Sequence, residues 1–120
     1  MTFEALLDTY YDGLAKRSGW EQTIAEGFEF TAASPANDSR GRAAFIEMLR
    51  RFSRTFETVS VKKTLIDGDT ACVIATYGLV SPSGQKTTKD VAEIWTAREG
   101  QLASLAIYFD TAGWRSFMAA

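Results

Sequence analysis

The sequence predicts an α+β domain in which a cone-shaped, curved antiparallel sheet packs on a long helix. In the first half of the chain, apolar residues recur at intervals of three and four, as on one face of a helix. In the second half, they alternate with polar residues between hairpin turn signals. Helices followed by a meander of strands are typical of a sheet with one face covered by helices. A sheet that curves around a helix leaves a space at its wide end, and we expect an apolar pocket there.

Three helical segments are expected in the first half of the chain. An amphipathic helix runs from Thr2 to Lys16, with charged residues between its regularly spaced apolar residues. Gly19 suits the left-handed position that ends a helix, and residues 20–25 follow as a short second helix. The long helix runs from Arg42 to Thr55, with its apolar residues on one face and arginines opposite them.

Five strands are expected in addition. Phe28 and Phe30 alternate with a polar residue and predict a short first strand, whereas residues 34–41 are rich in turn formers and predict a loop. The later strands are joined by turn signals such as Asp67-Gly68-Asp69. They are expected around residues 59–62, 70–81, 86–97 and 102–109.

Composition limits the number of domains and the classes of partner. With 120 residues, of which 46% are hydrophobic, the chain has the size and apolar content of a single domain over residues 1–120. The net charge of -2 does not provide the basic surface that nucleic-acid binding requires, and no apolar stretch has membrane-spanning length. We therefore expect neither a nucleic-acid nor a membrane partner. One cysteine, Cys72, excludes an internal disulfide, and the N-terminus lacks the basic region of a signal peptide, so a cytoplasmic protein is expected.

The chain contains no histidine. This excludes Ser-His-Asp and Cys-His nucleophilic sites, histidine general bases and nearly all catalytic zinc centres. Any proton transfer must therefore use aspartate, glutamate, tyrosine or lysine. We expect neither a metal ion nor a cofactor.

Four short motifs occur in order across nearly the whole chain. They are Gly41-Arg42 with Phe45, Asp67-Gly68-Asp69-Thr70, Glu93-Ile94-Trp95 before Arg98-Glu99-Gly100, and Tyr108-Phe109-Asp110. Their order and spacing resemble the SnoaL-like branch of the nuclear transport factor 2-like superfamily, which includes ketosteroid isomerases and relatives of polyketide cyclases. This resemblance implies the cystatin-like fold, with two N-terminal helices and a ligand pocket. It leaves the function open because the superfamily hosts enzymes, carriers and non-catalytic modules.

The resemblance also implies site residues of the isomerase kind. The oxyanion-stabilising tyrosine of the first helix falls on Tyr10, or on Tyr11 if the register differs by one residue. The protonated carboxylic acid falls on Glu93. The general base, an aspartate before a proline, falls on Ser34, and a serine hydroxyl is too weak a base for this role. Asp38 is the nearby carboxylate that remains as a candidate base.

Glu93 is the main candidate for a polar group inside the pocket. Val91, Glu93 and Trp95 share one face of a strand, and the two large apolar neighbours indicate that this face looks inward. Burial would favour the neutral acid, raise its pKa and make it a hydrogen-bond donor. The alternative is that Glu93 pairs with an arginine or faces solvent.

Aromatic residues of both layers are candidates for ligand contacts, with core packing as the alternative for each. Together with Ser34, the candidates are Tyr10, Tyr11, Trp20, Phe28, Phe30, Tyr77, Trp95 and Phe109. Asp110 is expected to accept backbone N–H bonds at the end of the last strand. The arginines of the long helix, Arg50, Arg51 and Arg54, follow its solvated face.

Two functions remain open. The first is a domain that binds a small hydrophobic molecule and has no assigned reaction. The alternative is an isomerase or cyclase type of enzyme for a polyketide- or steroid-like carbonyl compound, in which Glu93 and Tyr10 stabilise an enolate and Asp38 or a water takes the proton. In either case a homodimer is expected through the open sheet face, where we place Tyr77, Leu79, Ala106 and Tyr108.

Overall fold

The computed structural model describes residues 1–32 and 38–120, so that Ser34 and Pro35 lie outside the described residues. Within these ranges, the α-helices are α1 (Phe3–Lys16), α2 (Arg42–Phe52) and α3 (Thr111–Ala119), and a 3₁₀ turn spans Glu21–Thr23. The strands are β1 (Ile24–Thr31), β2 (Ser39–Arg40), β3 (Phe56–Asp67), β4 (Thr70–Val80), β5 (Lys86–Arg98) and β6 (Gln101–Tyr108).

The strands of the described part form one curved sheet in the order β2-β1-β6-β5-β4-β3. Strands β3 to β6 form the predicted antiparallel meander, whereas β1 pairs with β6 in parallel. The predicted α+β fold is thus confirmed, with a mixed rather than a wholly antiparallel sheet. The difference arises because α2 and four strands lie between β1 and β6 in the chain, so no hairpin forces these two strands to run in opposite directions.

The first two α-helices begin close to their predicted positions. Thr2 caps α1 by accepting a hydrogen bond from the amide of Ala5 at 3.1 Å, so α1 starts one residue later than expected. α2 starts at Arg42 as predicted, but it ends at Phe52, before the predicted Thr55. In the turn that follows, the hydroxyl and the amide of Thr55 donate to the Phe52 carbonyl at 2.6 and 2.8 Å. The short helix expected after α1 is only a 3₁₀ turn. Within the described part of the chain, no helix is long and apolar enough to cross a membrane.

The C-terminal helix α3 is absent from the sequence prediction. Asp110 caps this helix by accepting the amide of Gly113 at 2.9 Å, which is the backbone-bonding role expected for this aspartate. No residue of α3 is fully buried, although Trp114 and Phe117 pack against the core. The ring of Trp114 lies 5.9 Å from that of Phe52 and 6.5 Å from that of Phe109, and these contacts attach α3 to the rest of the domain.

The sheet has one buried face and one open face. Tyr77 and Leu79 on β4 are buried, so the expectation that they lie on the open face is wrong. The reason is strand parity, because Val73 lies in the core and every second residue of β4 follows it inward. The open face instead carries a cross-strand row of apolar residues, with Tyr108 in the next row. This row consists of Leu65, Cys72, Ile94 and Ala106.

Candidate functional site

A cavity of about 490 Å³ lies between α2 and the inner face of the sheet. Side chains from α1, α2, α3 and five strands form its wall, and most of them are apolar. The aromatic residues of the wall are Tyr10, Phe30, Phe45, Phe52, Tyr77, Phe109 and Trp114. This volume and a mainly apolar wall with few polar groups are typical of sites for small organic molecules.

Glu93 is the deeply buried carboxyl group of this wall. It is 2% exposed and lies on the inner face of β5, as strand parity predicts. The hydroxyl of Tyr11 donates to Glu93 Oε1 at 2.7 Å, and the hydroxyl of Tyr77 lies 3.2 Å from both Oε1 and Oε2. Among the described residues, its hydrogen-bond partners are therefore two neutral hydroxyls and not the arginine of the alternative interpretation.

The burial of Glu93 decides its protonation. Burial raises the pKa of Glu93 from 4.5 to about 7, although the bonds from Tyr11 and Tyr77 act in the opposite direction by stabilising the carboxylate. Both protonation states are therefore populated near neutral pH. Burial, and next the charge of Glu93, raise the pKa of Tyr10, Tyr11 and Tyr77 well above 10, so these tyrosines keep their protons and act as donors.

Trp95 extends the polar contacts of Glu93 into the core. Its indole Nε1–H donates to the hydroxyl oxygen of Tyr11 at 2.9 Å. Tyr11 thus accepts one hydrogen bond from Trp95 and donates one to Glu93. Neither Trp95 nor Tyr11 belongs to the cavity wall. Tyr11 therefore contacts Glu93 from the core and not from the cavity, and Trp95 acts on Glu93 through Tyr11.

Tyr10 lies in the cavity wall and is 1% exposed. Its ring packs edge-on against those of Trp95 and Tyr11, with centroid distances of 4.6 and 4.9 Å. Burial, and next the charge of Glu93, raise the pKa of the Tyr10 hydroxyl. No described residue forms a hydrogen bond with the Tyr10 hydroxyl.

Charged side chains lie at the exposed end of the cavity. Asp38 is exposed, and its carboxylate accepts the amide of Ala32 at 3.1 Å. Lys89 lies on the same face of β5 as Glu93 but four residues away, and its ammonium is 4.0 Å from the carboxylate of Asp110. The cavity therefore has an ionic mouth and an inner end where Glu93 is the titratable acid.

The predicted site residues fall into three groups. Tyr10, Phe30, Tyr77, Glu93, Phe109 and Asp38 belong to the cavity wall. Tyr11, Trp20, Phe28 and Trp95 are buried behind it. Ser34 lies outside the described residues. The structure therefore brings six of the ten described candidates to one cavity and leaves the others in supporting positions.

Sequence reasoning missed several residues of the wall. Trp114 and Asp110 were missed as lining residues because α3 was not predicted. Lys89 could have been found, since it shares the parity of Val91 and Glu93 on β5. The three arginines expected on the solvated face of the long helix are all exposed. Arg50 pairs with a glutamate at 3.3 Å and remains 66% exposed, whereas Arg51 also lines the cavity and Arg54 lies beyond the end of α2.

Residues 7–105 match the SnoaL-like domain family. No curated protein is detectably similar in sequence. Among solved structures, TerC co-crystallised with polyporic acid is 19% identical, with a TM-score of 0.86 over 98% of each chain. An NTF2-like protein of unknown function from Burkholderia pseudomallei is 16% identical, with a TM-score of 0.87 over 98% of this chain and 97% of that one. A protein with a ketosteroid isomerase-like fold from Catenulispora acidiphila, in complex with trimethylamine, is 14% identical, with a TM-score of 0.80 over 98% and 95% of the two chains.

Proposed function

The chain belongs to the SnoaL-like domain family, as the sequence motifs predict, and from this premise we propose that it binds a small apolar molecule with a hydrogen-bond-accepting oxygen. The observation that carries this proposal is the position of Glu93, a carboxyl group that is buried in an otherwise mainly apolar cavity wall. A buried acid without a cationic partner is costly for folding, so a role in recognising a ligand gives it a purpose.

The chemistry of the inner end favours a neutral ligand with a carbonyl group. Protonated Glu93 is a hydrogen-bond donor, and Tyr10 is a second donor in the same wall. Two donors in an apolar cavity stabilise a ligand oxygen that has no other partner. An anionic group placed here would instead be repelled by the ionised form of Glu93.

The test is a thermal-shift screen of neutral apolar ketones, with polyporic acid included because TerC was crystallised with it. A compound that binds the folded state raises the melting temperature, by an amount that grows with the logarithm of the ratio of its concentration to its dissociation constant. We expect Glu93→Gln to retain ketone binding because the amide keeps a donor, and Glu93→Leu to lose it. Equal binding by both variants would contradict the role of Glu93 as the polar anchor.

The second candidate function is enolisation of the bound carbonyl compound, and the observation that favours it is Asp38 in the wall of the same cavity. In this reaction Asp38 or a water removes the proton next to the carbonyl, while Glu93 and Tyr10 stabilise the enolate oxygen. Exchange of that proton for deuterium, followed by NMR on a bound ketone, would detect the step. Loss of exchange in Asp38→Asn with unchanged ketone binding would identify Asp38 as the base. If the unaltered protein shows no exchange, enolisation is contradicted and only the binding function remains.

We also propose a homodimer through the open face of the sheet, in a cytoplasmic protein. The apolar row of Leu65, Cys72, Ile94 and Ala106 supports this proposal, as does Tyr108, which is 60% exposed. A contiguous apolar patch on the surface usually marks an interaction site, and a symmetric pair of copies covers it without a second protein.

A further inference from the structure

The hydrogen bonds around Glu93 have a direction that follows from the chemistry of Trp95. An indole N–H donates and never accepts, so the bond of 2.9 Å makes the Tyr11 hydroxyl oxygen the acceptor. Tyr11 has a single hydroxyl proton, and Glu93 Oε1 lies 2.7 Å from it. The proton of Tyr11 is therefore directed at Oε1.

This direction distinguishes the two oxygens of Glu93. Oε1 accepts from Tyr11 whether Glu93 is charged or neutral. In a neutral carboxylic acid the carbonyl oxygen is the better acceptor, because the protonated oxygen has given up electron density to its own hydrogen. The arrangement is therefore most stable when Oε1 is the carbonyl oxygen and the acid proton is on Oε2.

The contacts of the two oxygens place that proton beside the cavity. The hydroxyl of Tyr77, which belongs to the cavity wall, lies 3.2 Å from both Oε1 and Oε2, whereas Tyr11 lies behind the wall and contacts Oε1 alone. Because Tyr11 already donates to Oε1, Oε2 is the oxygen that is left to exchange a proton with Tyr77. When Glu93 is ionised, the Tyr77 proton points to the carboxylate. When Glu93 is neutral, its proton on Oε2 points to the Tyr77 oxygen, and the Tyr77 proton is released toward a ligand.

We propose that Trp95 and Tyr11 are positioning residues that hold the proton of neutral Glu93 on Oε2, and that Tyr77, whose oxygen accepts this proton, donates its own hydroxyl proton to the ligand. The ligand part of this inference deepens the proposed function and rests on it. It makes Tyr77 a specificity-determining residue. When Glu93 is neutral, the hydroxyl of Tyr77 is a hydrogen-bond donor at the inner end of the cavity, which favours a ligand with a hydrogen-bond acceptor.

Infrared spectroscopy tests the position of the proton without any ligand. Well below pH 7, the carbonyl stretch of neutral Glu93 is the band that disappears in Glu93→Gln. We expect Tyr11→Phe to shift this band to higher frequency because the carbonyl oxygen loses its donor. Tyr77→Phe should leave the band nearly in place, since Tyr77 then contacts the protonated oxygen. A larger shift in Tyr77→Phe than in Tyr11→Phe, or equal shifts, overturns the assignment.

The role of Trp95 has its own readout. Trp95→Phe removes the indole donor, and we expect the Glu93 band to shift in the same direction as in Tyr11→Phe but by less. If that core substitution prevents folding, the bond between Trp95 and Tyr11 is tested by the NMR resonance of the Trp95 indole proton in Tyr11→Phe. This proton loses its acceptor in the variant, so its resonance must move. An unmoved resonance overturns the link between Trp95 and Tyr11.

Binding of 2-acetylnaphthalene, a neutral aromatic ketone, tests the role of Tyr77. Below pH 7 we expect Tyr77→Phe to weaken binding about tenfold, as for the loss of one good hydrogen bond, and Tyr11→Phe to change it about twofold or less. Tyr108→Phe on the open sheet face is the matched control and should bind like the unaltered protein. Equal weakening by Tyr11→Phe and Tyr77→Phe overturns the assignment to Tyr77. If the unaltered protein binds neither this ketone nor others, the proposed function and the ligand role of Tyr77 fall together, while the infrared result still decides where the proton lies.

Discussion

Tyr11 and Glu93 are 82 residues apart in the chain, yet the hydroxyl of Tyr11 lies 2.7 Å from Glu93 Oε1 inside the protein. This bond joins α1 to β5 across the core, and the indole of Trp95 supports it from β5 itself. A polar contact between buried groups stabilises a fold only while both partners are present, since an unpaired buried group loses its water without a replacement. A substitution that removes one partner of this bond is therefore expected to change the free energy of unfolding of the domain as well as the properties of the candidate site.

The first prediction concerns the pH dependence of stability. The pKa of Glu93 is about 7 in the folded state and near 4.5 in the unfolded state, so the folded state binds more protons between these values. The stabilisation linked to this proton is fully present below about pH 4.5 and is lost as the pH rises through 7. A shift of this size corresponds to roughly 3 kcal/mol of unfolding free energy.

Glu93→Gln isolates this effect because glutamine has nearly the same shape and does not titrate. Urea unfolding across pH 4 to 9 should show the free energy of unfolding of the native chain falling relative to that of the variant. The variant should be equally or more stable at neutral pH and above. A clear destabilisation by Glu93→Gln at pH 8 would show that the carboxylate itself is structural.

The second prediction concerns the cap of α3. Asp110→Ala removes the acceptor for the amide of Gly113, and we expect a loss of about 0.5–2 kcal/mol in the free energy of unfolding. The substitution also releases the ammonium of Lys89 at the cavity mouth. Asp12→Ala on the exposed face of α1 is the matched control and should change stability by less than about 0.5 kcal/mol. An equal loss in both variants would contradict a capping role.

Much of the fold follows from local patterns that tertiary contacts reinforce. The alternation in β5 correctly places Glu93 in the interior because parity is a property of any strand, whatever its neighbours. The buried face of α1 is predicted equally well from the helical spacing of its apolar residues, because these residues pack directly on the sheet. These predictions need only the period of the sequence and not the arrangement of the other elements.

The parts that sequence reasoning missed depend on contacts between distant segments. The parallel pairing of β1 with β6 has no hairpin that would reveal it. α3 is held by Trp114 against the rings of Phe52 on α2 and Phe109 in the connection before α3, so its position is a tertiary property. Likewise, the helical stripe places both Tyr10 and Tyr11 in the interior, but only the packed sheet decides that Tyr11 contacts Glu93 and that Tyr10 lines the cavity.

The third prediction is that ketosteroid isomerisation is absent or very slow. The resemblance to isomerases places the base on Ser34, and a serine hydroxyl does not remove a carbon-bound proton unaided. The absorbance change of a steroid enone measures the reaction directly. Ser34→Asp supplies a carboxylate at this position, and we expect it to raise the rate. Turnover by the unaltered chain at rates of about 1 per second or more, typical of enzymes, would show that another residue acts as the base.

The last prediction is that an acidic residue in the open sheet face separates the proposed dimer. Ile94 lies in the middle of the apolar row, between Cys72 and Ala106, so Ile94→Glu would place a carboxylate opposite its own copy or next to apolar partners. Burying an unpaired charge in an interface is strongly unfavourable, and we expect sedimentation at micromolar concentration to show a dimer for the unaltered chain and a monomer for the variant. The control is Ala43→Glu on the exposed face of α2, which adds the same charge away from the sheet and should leave the dimer intact. A monomeric unaltered chain, or a dimer that survives Ile94→Glu, would show that the open face is not where two copies meet.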